Sequence, residues 1–465
     1  MRRQVLACLT AALATASCAA PDLGPKPQLA TVADQRLFEG PTADWPQADW
    51  WRVYQDPQLD GLIAQGLAGS PTIAVAQARL RRAEAFAAEA RAAQAPSLDA
   101  DGSLTVSKPS YLTGLPVPPA LHGWNDNAAA HLNFNWELDF WGRTRAAVAA
   151  ATSEAAAARA DLAAARLMIS TSIAAAYANL ASLQADREAL ASSLNVREQT
   201  LALVRRRVAG GYDSNAELRQ AEAGPPEVRA DLRAVDEQIA LGRLRLATLM
   251  GQPPDRAAAI APPGIVGLRG LGLPAEIPAT LIGRRPDLTA ARWRAEASSA
   301  SIDEARADFY PNVNLIGLIG LQSLGVGNIF RSGADLGQAG AAVDLPIFDG
   351  GRRRARYRGA RADYDGAVAA YDGALNAALE EVADAVTSQR ALDGRLADSR
   401  AALSASTDGW RLAQRRYTTG AADYQSVLVA EDRMLANRRV VAGLEARRFV
   451  LDVALVKALG GGWKS

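Results

Sequence analysis

The sequence predicts a mostly helical protein with a smaller β component, built as two versions of one unit. Three observations predict it. Alanine makes up roughly a fifth of the 465 residues and is the strongest helix former. Two stretches, Arg143 to Ala209 and Arg352 to Thr419, contain no proline. Residues in the two halves also align at a nearly constant spacing, which marks an internal repeat.

The overall charge is almost balanced, with 51 Lys and Arg against 50 Asp and Glu. Phosphate recognition is driven by clustered basic excess, so nothing here points to nucleic acid. Downstream of residue 20, no stretch supplies the roughly 20 uninterrupted apolar residues of a membrane helix.

The N-terminus reads differently. Met1, Arg2 and Arg3 form a basic start, Val5 to Ala16 a short apolar run, and small residues precede Cys18. This is a secretory signal over 1–17. Thr15-Ala16-Ser17-Cys18 resembles the bacterial lipoprotein lipobox, with Thr15 where Leu is usual. The resemblance makes Cys18 the acylated first residue, and Ala19 after it favours the outer membrane. Cys8 leaves with the signal, so the mature chain has no disulfide pair. Pro21, Pro25 and Pro27 extend the tether, placed at 18–55.

The repeat sets the order of the remaining elements. Pro71, Ala76, Arg79, Arg91 and Pro96 fall opposite Pro286, Ala291, Arg294, Arg306 and Pro311 at an offset of 215 (286 minus 71). Arg207, Gly211 and Glu222 fall opposite Arg416, Gly420 and Glu431 at 209 (416 minus 207). The first repeat spans 56–276 and the second 277–465. Each opens with a helix, Thr72 to Ala95 or Asp287 to Phe309, begun after a proline and stopped by Pro96 or Pro311.

Two strands follow in each repeat, near 97–141 and 312–348. From His131 to Trp141, Leu132, Phe134, Trp136, Leu138 and Phe140 alternate with Asn133, Asn135, Glu137 and Asp139. A period of two puts the first set on one face and the second on the other. Leu98 to Val106 is its partner. Val313 to Leu321 and Val343, Leu345 and Ile347 supply the second pair, and the loops Lys108 to Gly123 and Ser323 to Gly340 are rich in Gly, Pro and Ser.

The chain then turns helical. About 67 residues at 1.5 Å each make some 100 Å of helix, far beyond the usual globular length. Each long helix reaches a glycine turn and returns, through Asn215 to Met250 or Asp423 to Leu459. The hairpins therefore span 143–250 and 352–459. Gly224-Pro225-Pro226 should kink the first return helix.

Strands of about ten residues fit a membrane barrel wall or a water-soluble sheet. Four cannot close in lipid, so a barrel would be shared between protomers, two giving eight strands and three giving twelve. The signal and the length of the helices favour the barrel.

The chain resembles the TolC-like outer membrane factor family, in its OprM/NodT lipoprotein branch. The residues that carry the resemblance are Asp49-Trp50-Trp51, Asp56-Pro57-Gln58-Leu59, Trp136 to Arg143, Arg284 to Leu288, Phe309-Tyr310-Pro311, Leu345 to Gly351, Arg416-Tyr417 with Gly420 and Tyr424, and Lys457 to Trp463. The resemblance implies a homotrimer with a twelve-stranded transmembrane β-barrel, four strands per protomer. This would continue into a long periplasmic α-helical barrel, with an equatorial region that includes Pro253 to Ile282. It implies a passive duct for small molecules in a tripartite efflux system, served by a periplasmic adaptor and an inner-membrane pump of the resistance-nodulation-division type. Type I protein secretion, or a structural periplasmic lipoprotein without channel activity, would use a similar chain.

The same resemblance assigns roles at the hairpin turns. Arg207 to Gly211 and Arg416 to Gly420 match the family's Arg-x-x-x-Gly tip, where the adaptor docks. Glycine permits the turn and arginine offers planar donors, though both also suit a plain helix end. Tyr212, Asp213, Asp423 and Tyr424 lie where side chains of three protomers would meet at a periplasmic aperture. Val429 stands where relatives carry Asp, so an acidic ring at that level is not expected. Leu132, Phe134, Trp136, Leu138 and Phe140 would face lipid, and Asn133, Asn135, Glu137 and Asp139 the lumen. His122 and His131 lack a ligand set, no nucleophile-and-base or phosphate-loop pattern occurs, and neither an enzyme nor a cofactor beyond the lipid on Cys18 is expected.

Overall fold

The computed structural model describes residues 20–31, 46–112, 116–263 and 284–463. The signal and Cys18 lie outside the described residues, as does most of the expected equatorial segment. The helices are α1 (Pro57–Gly69), α2 (Pro71–Ala92), α3 (Arg143–Ala209), α4 (Asn215–Leu249), α5 (Pro286–Ala307), α6 (Arg352–Thr418) and α7 (Tyr424–Ala458). The strands are β1 (Ser97–Ser107), β2 (Asn125–Glu137), β3 (Asn312–Leu324) and β4 (Asp335–Asp344). Among the described residues, no helix is long and apolar enough to cross a membrane.

The chain divides into two compact units. The first comprises Met1–Leu29, Arg79–Ala158 and Ala291–Tyr371. Its centre is one antiparallel sheet in the order β1-β2-β3-β4. The two expected hairpins are thus joined through β2 and β3, which lie far apart in sequence. Register places Leu98, Phe134, Gly317 and Ala339 in one row and Ala100, Leu132, Ile319 and Gly337 in the next on the same face. The opposite face carries Asp99, Asn133, Leu318 and Gln338. The separation into apolar and polar faces is therefore clean in β1 and β2. In β3 both faces are apolar, because Ile316 and Leu318 stand opposite Asn135 and Asn133.

Two strand ends differ from expectation. β2 begins at Asn125 and stops at Glu137, so Leu138, Asp139 and Phe140 lie beyond the strand. The last bond to β3 runs from Leu138 N to Val313 O at 2.8 Å. Asp139 then turns to the next helix, accepting from Thr144 N at 3.2 Å and Arg145 N at 2.9 Å. An alternating pattern does not distinguish a strand position from a capping carboxylate that satisfies a helix start. β4 likewise ends at Asp344, leaving Leu345 and Ile347 beyond it, and begins at Asp335 inside the expected loop.

The tether also has partners within this unit. Arg361 Nη1 donates to Gly24 O at 3.1 Å, Tyr364 Oη donates to Pro27 O at 2.9 Å, and Lys26 Nζ donates to Ser299 Oγ at 3.1 Å. These bonds strap Gly24 to Pro27 onto α5 and α6.

The second unit comprises Ala30–Ala78, Arg159–Ala290 and Asp372–Ser465. Its main core gathers Leu59, Leu62 and Ile63 of α1, Ile173, Tyr177 and Leu180 of α3, Leu246 of α4, and Phe449 and Val453 of α7. Three of the motifs have structural roles in this unit. Trp50 and Tyr54 are buried, with Tyr54 edge-on to Phe449 at 4.5 Å. Asp56 caps α1 and accepts the Tyr177 hydroxyl at 2.6 Å. Arg285, also buried, donates to Asp287, Glu381 and Ala458 O. Pro225 and Pro226 lie inside α4, which stays helical through both.

Candidate functional site

The hairpin tips lie in the second unit and share one backbone solution. At the first, Gly210 N bonds Arg206 O at 3.0 Å and Tyr212 N bonds Arg207 O at 2.9 Å. At the second, Thr419 N bonds Arg415 O at 3.1 Å and Ala421 N bonds Arg416 O at 2.8 Å. Gly211 and Gly420 both sit at φ 76°, the left-handed conformation that lets the last carbonyls of each helix find donors. Ser214 then caps α4, with Glu217 completing a capping box, and Asp423 caps α7 by accepting Ser426 N at 2.9 Å. The Ser426 hydroxyl and backbone bonds hold the Asp423 carboxyl below its ordinary range.

Side chains make the two tips unequal. Arg207 grips Asp213 through Nε at 3.0 Å and Nη2 at 3.2 Å. Its Nη1 donates to Tyr417 O at 2.8 Å, and the guanidinium lies 4.3 Å from the Tyr417 ring centroid. The Tyr417 hydroxyl also donates to Asp213. Burial works to raise the Asp213 carboxyl, but the bonds from Arg207 and Tyr417 outweigh it and hold it below the usual carboxylate range. Arg207 and Asp213 keep only 15% and 9% of their side-chain surface. Through Tyr417 they lock the two hairpins together, and neither presents a free charge to a partner.

Arg416 is different. Six residues beyond Arg207 stands Asp213, whereas six beyond Arg416 stands Ala422. Arg416 is exposed, with one bond from Nη2 to Ala421 O at 3.4 Å. Of the expected aperture residues, Tyr212 is 78% exposed and Asp423 is exposed. Tyr424 is not available there. It is buried with Val204, Ala221, Tyr417 and Val427, and its hydroxyl is pushed up to about 12 by burial and by Glu431. Val429 is exposed on α7.

A buried polar cluster behind the tips carries no recognisable sequence motif, although Glu431 aligns with Glu222 in the repeat. Glu431 is fully buried, 3.1 Å from Arg197 Nη1 and accepting Thr200 Oγ1 at 2.9 Å. It ties α7 to α3, as do Arg439 with Asp186 at 2.7 and 2.9 Å and Arg438 with Ser192. Burial raises the Glu431 carboxyl despite Arg197. The only sequence signal was an acidic residue at an otherwise apolar helix position.

In the sheet unit, Leu132, Phe134 and Trp136 share the apolar face of β2 and Asn133 and Asn135 the other. Asn133 Nδ2 bonds Asp101. Glu137, the last residue of β2 and on the same face as Asn133 and Asn135, pairs with Arg143 at 3.0 and 2.5 Å. His122 donates from Nε2 to Val117 O at 3.0 Å, and His131 faces Gly320 across β2 and β3.

The profile described as Outer membrane efflux protein matches residues 62–252 and 277–461. Fusaric acid resistance protein FusA of Burkholderia cepacia is 37% identical over 368 residues, 76% of this chain and 68% of that protein. Multidrug resistance outer membrane protein MdtP of Escherichia coli (strain K12) is 30% identical over 455 residues, 95% of this chain and 91% of its own. Among solved structures, the outer membrane protein VceC of Vibrio cholerae is 45% identical. It superposes with a TM-score of 0.85, covering 90% of this chain and 100% of that one.

Proposed function

The chain belongs to the outer membrane efflux protein family, is an outer-membrane efflux channel and not an enzyme, and on that premise we propose how it is assembled and what it meets. It is the exit duct of a tripartite system, passing small molecules that an inner-membrane pump delivers through a periplasmic adaptor. Three copies form the working channel, their strands closing one twelve-stranded barrel and their hairpins one periplasmic tube. The pump is of the resistance-nodulation-division type. Residues 1–17 are removed and Cys18 carries the lipid. The repeats, 56–276 and 277–465, descend from one duplicated unit, a reading supported by the nearly constant sequence offset, 215 and then 209, and by the recurring order of elements.

The observation that carries the assembly is the sheet. It has four strands with β1 and β4 at its edges, and large apolar side chains such as Leu98, Leu104 and Ile319 exposed on one face. In lipid, unpaired edges are costly and only closed barrels are viable. Copies of the same edges satisfy one another in a ring.

At the tips, Arg416 with Gly420 is the docking group, while Arg207 with Gly211 holds the first turn through Asp213. Tyr212 and Asp423 remain to line the aperture. Single cysteines placed along β1 and along β4 test the ring. Oxidative crosslinks should join β1 of one copy to β4 of another and yield a ladder ending at three chains. A ladder ending at two, or no crosslink in membranes, would contradict the trimer.

A further inference from the structure

We propose that the start of α6, with the turn leading into it, is a binding surface for the phosphate headgroups of anionic phospholipids in the bilayer leaflet beside it. The proposal rests on reading the sheet as a membrane wall, because β4 ends at Asp344 only a few residues earlier.

At the start of α3 the arginines are neutralised locally. Arg143 bonds Glu137, six residues before it, and Arg145 pairs with Asp139 at 3.2 Å. The same steps back from Arg352 and Arg354 reach Pro346 and Phe348, which carry no charge. The nearby carboxylate, Asp349, is taken by Arg353 at 2.8 Å and by the amides of Gly351 and Arg353. Arg352 and Arg354 are exposed, as is Arg358 one turn on. Among the described residues, these three guanidinium groups have no ion pair or hydrogen bond. They also stand at the positive end of a helix, where cations are disfavoured. Arg352 lines a groove with Asp308 and Asp344 but bonds neither, so no contact among the described residues accounts for the three.

An anion outside the chain does supply one. Guanidinium is a bidentate donor matched to phosphate. Beside the arginines, Ile347 is 69% exposed and Phe348 89%. Apolar side chains next to unpaired arginines suit a headgroup boundary, with Phe348 in the acyl region and the guanidinium groups at the phosphates. A protein carboxylate would pair with the arginines but leave Ile347 and Phe348 in water.

The test uses the full-length acylated protein, reconstituted into phosphatidylcholine vesicles carrying either spin-labelled phosphatidylglycerol or spin-labelled phosphatidylcholine. Electron paramagnetic resonance reads the relative association of the two labels, and channel conductance is recorded in parallel. The wild type should prefer phosphatidylglycerol, by about fivefold for each engaged arginine, and less at high salt. R352Q/R354Q/R358Q should conduct normally and lose the preference, and the triple lysine variant should keep most of it. A conducting wild type without preference, or a glutamine variant that retains it, would overturn the proposal and leave the membrane reading intact. So would loss of trimer by the variant in phosphatidylcholine alone, which would assign the arginines to subunit packing. Displacement of the label by glycerophosphoglycerol in solution would also overturn the bilayer source. A wild type that never inserts would remove the membrane reading and this proposal with it.

Discussion

Replacing Asp213 with Asn should loosen the tips without unfolding the protein. Asp213 accepts two charge-assisted bonds from Arg207, at 3.0 and 3.2 Å, and a third from the Tyr417 hydroxyl. Bonds to a charged group contribute about 1.5–3 kcal/mol each when partly buried. Asn retains one acceptor oxygen and the shape, so the net loss should be about 2 kcal/mol. If the tips open as a local unit, that corresponds to roughly 30-fold faster exchange of their amides. Hydrogen exchange read by mass spectrometry on peptides 201–220 and 413–428 measures it directly, with core peptides near Ile173 and Leu246 as an unaffected control. The pH dependence follows from the lowered Asp213 carboxyl. Its stabilisation is complete above the unfolded value near pH 4 and is lost as pH falls through the folded value. Wild-type protection at the tips should therefore hold from neutral pH to about 5 and then fall towards the Asn variant. Equal protection of wild type and variant at pH 7 would refute the lock.

Three further outcomes follow from the same geometry. Arg416→Glu should lower compound export at unchanged trimer abundance, whereas Arg207→Glu should also loosen the tips, because it sets two carboxylates together; export by Arg416→Glu equal to wild type would remove the docking role. Glu431 has a raised carboxyl, so its ionisation costs stability, and the thermal midpoint should rise as pH falls through its folded value; Glu431→Gln should remove that dependence, and a variant that keeps it would contradict the assignment. Cys18→Ser should abolish incorporation of labelled palmitate, and persistent labelling would place the lipid elsewhere.

The helices were the most legible part of the fold. Proline-free alanine-rich runs mark α3 to the residue, and Gly211 and Gly420 mark the turns because the left-handed conformation there needs glycine. The strands were legible in type but not in extent. Leu138 to Phe140 keep the alternating pattern after the sheet has ended, since Asp139 is polar for a capping reason and not for a face. β3 hides its face altogether, because both sides are apolar.

The tip residues were found by motif, but their roles were not. The repeat aligns Arg207 with Arg416 and treats them alike. The difference lies at Asp213 and Ala422, two positions that matter only once the turn folds back to bring residue 213 beside residue 207. Tyr424 is ambiguous from sequence for a similar reason, as an aromatic next to a turn can face the solvent or, as here, the hairpin core. The pairing of Glu431 with Arg197 joins residues 234 apart (431 minus 197), which no local pattern reveals.

Copies of this four-stranded sheet should close into one water-filled barrel. Single-channel recording of the purified acylated oligomer in a planar bilayer tests it most directly. Discrete, stable conductance steps are expected from particles with the mass of three chains. A bilayer that stays silent at every protein concentration, with the deacylated chain remaining a soluble monomer, would contradict it.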